Sequence, residues 1–190
     1  AYRSMEAAAK DTEGEMLFYQ SKVCEGVFHR ISSGTTRDGL EVFGKMEKGY
    51  LLSVDSNWDM YGDGYLSGHY FSEGALREQL EKAYPGLVFT EEPVENQINM
   101  YKRDKVGHIL FLTVGNKTIS GEEFRQLLEL PSSNFTMQAA DGKIRFLCKG
   151  QGHGLGLSQY GGNVLAKEGK SYKEILRYYF PECGVQKKDS

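Results

Sequence analysis

The chain has 190 residues, enough for one domain with a proper core. Its 39% hydrophobic content, 12% aromatics and 23 glycines describe a globular, loop-rich protein rather than a disordered one. A net charge of −3, with no basic block before the Lys187-Lys188 tail, argues against a nucleic-acid partner. No apolar run approaches the roughly 20 residues of a membrane helix.

The residues up to Lys10 lack the basic start and apolar middle of a signal peptide. Met5 to Lys10 reads as the end of a helix, rich in good helix formers. Met16 to Tyr19 and Val23 to Ile31 read as two strands, with a hairpin across Gln20-Ser21-Lys22. The small polar run Ser32 to Thr36 suits a loop at the mouth of a site. Tyr50 to Val54 reads as a strand. Trp58 in the polar loop beyond it is either a core plug or a stacking platform for a sugar ring. Glycine and tyrosine then dominate as far as Gly74, and the stretch is expected to be irregular. Ala75 to Tyr84 reads as a helix stopped by Pro85, and Ile98–Arg103 and His108–Val114 as paired strands, with His108 on a surface position. Ser120 with Glu123 has capping-box spacing, as does Ser171 with Glu174; Pro131 and Pro181 end the two helices. Phe135–Gln138 and Ile144–Cys148 form a hairpin. Strand pairs and helices come in blocks rather than in βαβ alternation, so the expected class is α+β.

The most informative stretch runs from Gly150 to Gly162. An apolar run, then glycines around His153, then a helix ending at Gly169, is the layout of a strand, a turn and a helix. His153, Ser158, Gln159 and Tyr160 are the polar groups such a turn could aim outward. It is not a dinucleotide fingerprint, since leucine stands where the third glycine belongs. Gly169-Lys170-Ser171 does not complete a phosphate loop, because Val164 occupies the first glycine position. Ser158 is not in a nucleophile elbow, because Tyr160 replaces the second glycine.

Cys24, Cys148 and Cys183 lack Cys-x-x-Cys spacing, which argues against a zinc ribbon or redox pair. One disulfide plus one buried thiol is open, and so is the redox compartment. Cys24 and His29, four residues apart, could supply two zinc ligands, but two are half a site, and no metal is expected.

The chain resembles the stage II sporulation protein D family, including its amidase-enhancer relatives. The resemblance rests first on Gly152-His153-Gly154-Leu155-Gly156-Leu157-Ser158-Gln159-Tyr160-Gly161. It continues through Ala166-Lys167-Glu168-Gly169-Lys170-Ser171-Tyr172 and Ile175 to Pro181. Upstream, Phe28 to Thr36 is similar to that family's Tyr-His-Ser-x-Ser-x-Gly-x-Thr segment, and Tyr50–Val54 with Trp58-Asp59 and Gly121–Arg125 with Leu130–Phe135 also match. The resemblance covers essentially the whole chain, read as a single domain over 1–190. It implies lytic transglycosylase action on peptidoglycan glycan strands already stripped of peptide, giving 1,6-anhydro ends. The implied partner is an amidase of the stage II sporulation protein P type, and the implied place is outside the cytoplasm, in the wall or between forespore and mother-cell membranes. His29, Ser33, Thr35, Trp58, His153, Ser158, Gln159 and Tyr160 are then the candidate glycan-binding residues.

The family's catalytic glutamate lies in an Ala-Glu-Met-Pro-like stretch upstream of everything matched, and Glu6 does not correspond to it. The N-terminal portion, with the general acid and any membrane anchor, is therefore expected to be missing. Asp55 or Asp59 is a weaker in-chain acid. The alternative is a non-catalytic module that binds glycan or an amidase and stimulates it. Some family members hold zinc near the region of Cys24 and His29, but Phe18 and Arg30 stand where further ligands would be.

Overall fold

A computed structural model describes residues 2–187, so Ala1 and Lys188 lie outside the described residues. Helix α1 (Tyr2–Asp11) leads through Gly14 into strand β1 (Glu15–Tyr19). Gln20 and Ser21, both at positive φ, turn the chain into the short strand β2 (Lys22–Val23). The expected second strand over Val23–Ile31 is interrupted. Only β3 (Phe28–His29) follows, and it pairs in parallel with the distant β10 (Leu157–Ser158) rather than extending the hairpin. The other edge of β1 is taken by the C-terminal strand β11 (Gly184–Lys187).

Helix α2 (Gly39–Phe43) is capped by Asp38, and 3₁₀ turns cover Met46–Lys48 and Asn57–Tyr61. Tyr50–Val54 is not a ladder strand. Its carbonyls at Leu51 and Val54 accept from Gly39 and Thr36, which ties it as extended chain to the 36–39 segment. The stretch expected to be irregular contains β4 (Leu66–Ser72), a full-length partner of β9 (Lys143–Lys149). Its Gly68, His69 and Ser67 hide the apolar alternation on which strand reading depends.

Ser72 caps α3 (Glu73–Ala83). Strands β5 (Ile98–Arg103), β6 (Ile109–Val114) and β7 (Lys117–Ser120) form an antiparallel meander, and Ser120 caps α4 (Gly121–Leu127). Strand β8 (Phe135–Ala140) pairs with β9 across a tight turn. The last helices are α5 (Gln159–Lys167), which ends at Gly169 with φ +87°, and α6 (Tyr172–Tyr179), which has the complete Ser171–Glu174 capping box. Helices and mainly antiparallel sheets make the fold α+β, as expected.

Two apolar cores result. One joins α3, α4, the meander and the β4-β9-β8 sheet around Phe124, Phe135 and Phe146, whose rings lie within 5.8 Å of one another. The other joins β1, α5 and α6 around Leu17, Leu51, Leu165, Ile175, Tyr179 and Phe180. Buried polar residues include His29, Ser32, Arg37, Asp59, Asp104, His108 and Ser158. His108, read from the sequence as a surface residue, is 1% exposed; its Nδ1 meets Ser133 Oγ at 2.9 Å.

Candidate functional site

The glycine-rich stretch leaves β9 and runs along the 27–37 segment, bonding by backbone to it and to Tyr65 and Pro131. Gly150 N donates to Tyr65 O, Gln151 N to Ile31 O, Gly152 N to Pro131 O, Leu157 N to Val27 O and Tyr160 N to Arg30 O. Leu155 N donates to His153 Nδ1, and Gly161 N to Ser158 Oγ. Those N–H groups, being occupied, do not face an anion. Glycine is required where the two segments touch: at Gly152 (φ +105°) an added Cβ would stand 2.8 Å from His29 Cβ.

Beneath the turn lies a hydrogen-bonded support. Asp59 is fully buried; one carboxylate oxygen accepts from Ser32 N at 2.7 Å and the other from Ser158 Oγ at 3.0 Å. Ser158 Oγ at the same time caps α5, so Asp59 fixes the helix start relative to the 32–36 loop. His29 Nδ1 donates to Leu155 O at 3.0 Å, leaving Nε2 buried without a partner. Burial pulls the His29 pKa down to about 4, with a smaller push the same way from His153, against the Leu155 bond and Asp59. His153 is half-buried and also lowered, chiefly by burial, against the opposing effect of Glu122.

The eight residues marked by sequence are distributed over this architecture. Gln159 and Tyr160 open on a surface pocket of about 410 Å³, together with Arg30, Ile31, Asp63 and Asn163. His153 faces a different cavity, of about 390 Å³, whose lining includes Glu122, Lys48, Phe43 and Phe111. Glu122 Oε1 is bound by Arg125 at 2.6 Å, and its Oε2 is buried without a partner. His29 and Ser158 lie below the surface and act on it through Leu155 and Asp59. Ser33 is half-buried, its carbonyl accepting from the Tyr65 hydroxyl at 3.2 Å, and Thr35 bridges to Asp55. Trp58 is half-buried and packs against the second core, its ring centroid 5.8 Å from that of Tyr178.

Arg30, Asp63 and Asn163 escaped the sequence reading. Asn163 stands four residues after Gln159 on α5 and therefore on the same helical face, a signal available once the helix start is placed. Arg30 follows the buried His29 and faces the opposite way by strand alternation. Asp63 carries no sequence signal.

Cys24 and His29 face different neighbours. Cys24 Sγ faces Cys183 Sγ at 3.7 Å, while the His29 ring is held under the turn by Leu155. Among the described residues no group of three or more His, Cys, Asp or Glu is arranged to hold an ion.

No family model matches the chain. Comparison with curated proteins finds 31% identity over 183 residues with stage II sporulation protein D of Bacillus amyloliquefaciens, covering 96% of this chain and 51% of that protein. The same protein of Bacillus subtilis is 28% identical over 184 residues, with the same coverage. The amidase enhancer of Bacillus subtilis is 32% identical over 88 residues, covering 46% of this chain and 12% of that protein. The chain thus spans about half the length of the stage II sporulation protein D sequences it matches. Over the segment they share, the likeness extends along nearly all of the chain and bears out the motif resemblance: this chain is related to the stage II sporulation protein D family.

Proposed function

We propose that this chain takes part in cell-wall remodelling during sporulation, outside the cytoplasm, by holding a peptidoglycan glycan strand in the pocket beside α5. The observation that carries this reading is the pocket's chemistry. Two amides (Gln159, Asn163), one cation (Arg30), one carboxylate (Asp63) and the Tyr160 ring meet in an open depression of about 410 Å³. Amides and paired charges bond hydroxyls and acetamido groups from the side, and a tyrosine ring takes the apolar face of a sugar.

The reaction we assign to the whole protein is lytic transglycosylase cleavage. One carboxylic acid protonates the glycosidic oxygen, and the same group then takes the C6 hydroxyl proton as the 1,6-anhydro ring closes. Neither in-chain candidate suits that acid. Asp59 is fully buried with both oxygens accepting hydrogen bonds, and Asp55 holds its place through backbone bonds rather than facing the pocket. The proton donor is assigned to a further part of a longer chain or to a partner. A second reading, stimulation of an amidase of the stage II sporulation protein P type, is favoured by the partial likeness to an amidase enhancer.

The test is co-sedimentation with peptide-stripped glycan strands, followed by mass spectrometry for 1,6-anhydro ends. We expect retention without cleavage, and retention weakened about tenfold in Tyr160→Ala and in Arg30→Ala. Anhydro products from this chain alone would place the acid within it. Unchanged retention in both variants would move the binding site elsewhere, and no retention with a stimulated amidase would favour the second reading.

A further inference from the structure

Three cysteines occupy two kinds of place. Cys148 is fully buried in the first core, on β9. Cys24 and Cys183 are half-buried at the second core, where they flank the same strand: Cys24 follows β2 and Cys183 precedes β11, the two neighbours of β1. Phe18 of β1 pairs with Val23 on one side and with Gly184 on the other, each next to a cysteine. The two sulfurs lie 3.7 Å apart although 159 residues separate them in sequence. A disulfide needs about 2.0 Å between sulfurs, so closure brings the two about 1.7 Å nearer than they stand here.

We propose that Cys24 and Cys183 are an oxidative cross-linking site, closing to a disulfide that staples the N-terminal hairpin to the C-terminal strand. The oxidant is a low-molecular-weight disulfide. A cavity of about 470 Å³, whose lining includes Cys24, Leu17, Tyr172 and Leu176 but not Cys183, gives it access to Cys24. The Cys24 thiolate attacks one sulfur of the oxidant, expelling the other as a thiolate and leaving a mixed disulfide. The Cys183 thiolate then attacks Cys24 Sγ and releases the second small thiol. Two protein thiols are oxidised, one small disulfide is reduced to two thiols, and the two protons leave with them. Burial raises both thiol pKa values, that of Cys183 to about 12, so closure in the folded chain is slow near neutral pH and faster in alkali.

The 190-residue chain is incubated with oxidised glutathione at pH 8 and mapped by mass spectrometry without reduction. The expected result is a protein lighter by two hydrogens, one peptide pair joining Cys24 to Cys183, and Cys148 free. Cys183→Ser should accumulate glutathione on Cys24, whereas Cys24→Ser should leave Cys183 largely unmodified. The oxidised chain should melt about 10 °C above the reduced one, because so long a loop is closed in the unfolded state. Three free thiols after prolonged oxidation, stable glutathione adducts on the wild-type chain, or a link to Cys148 would each overturn the proposal. Melting of the two reduced serine variants shows whether they fold, and the wild-type map decides by itself if they do not.

Discussion

At His29, fold and titration chemistry meet in one side chain. The ring is 3% exposed, its Nδ1 is committed to Leu155 O, and protonating Nε2 would place a charge in a site with no acceptor for it. The folded pKa, about 4, lies below the ordinary 6.5, so the unfolded chain binds the extra proton first. The stabilisation is therefore complete above about pH 6.5 and is lost as the pH falls from there toward 4. A shift of that size corresponds to about 3 kcal/mol. Urea unfolding of the wild type and of His29→Gln at pH 7, 5.5 and 4 should show the stability gap between them closing by about that amount. The buried His108 is also lowered well below its usual value, chiefly by burial and Arg37 and in smaller part by His29, so its own titration cancels in the difference except for that smaller part. Parallel profiles would mean that the His29 site admits the proton.

Among the elements, the turn from Gly150 to Gly156 depends most on residue type. Gly14 and Gly152 both have positive φ, but nothing lies near an added Cβ at Gly14, while one at Gly152 would meet His29 Cβ at 2.8 Å. Gly14→Ala should cost about 1 kcal/mol, from backbone strain alone. Gly152→Ala should cost about 2–4 kcal/mol, the excess reflecting the separation of the turn from β3. Equal losses in thermal or urea unfolding would show that the contact yields freely.

The same turn was legible as strand, turn and helix because glycine spacing and the apolar run before it are local signals, and α3, α6 and the β8–β9 hairpin were legible for similar reasons. What stayed hidden was non-local or unpatterned. Nothing near Phe28-His29 announces that its partner is Leu157-Ser158, and β4 carries too few apolar residues to display its alternation. The site followed the same rule. Gln159 and Tyr160 were marked from the motif, but Arg30 and Asp63 reach their pocket only through tertiary pairing.

At the scale of the molecule, a buried ion pair links segments far apart in the chain. Arg37 Nε donates to Asp104 Oδ2 at 2.6 Å with side chains 4% and 1% exposed. The Arg37 guanidinium also donates to His153 O at 3.1 Å, while Asp104 Oδ1 accepts from His108 N at 2.8 Å. The pair thus ties the 36–39 segment, which borders the second core, to the loop between β5 and β6 and to the glycine turn. Such a pair adds little net stability over a well-packed apolar substitute, but removing one member strands the other charge. Arg37→Met should therefore destabilise by about 3–5 kcal/mol, and Asp104→Asn, which keeps an acceptor for His108 N, by a comparable amount. The double variant should recover part of the loss, with a coupling of about 2 kcal/mol in a double-mutant cycle measured by urea unfolding. Tyr160 and Arg30 lie outside this joint, so the glycan retention proposed for them should persist in the double variant. Strict additivity would mean that the two residues act separately. Coupling accompanied by lost binding would mean that the ion pair sets the position of the turn, and with it the pocket beside α5.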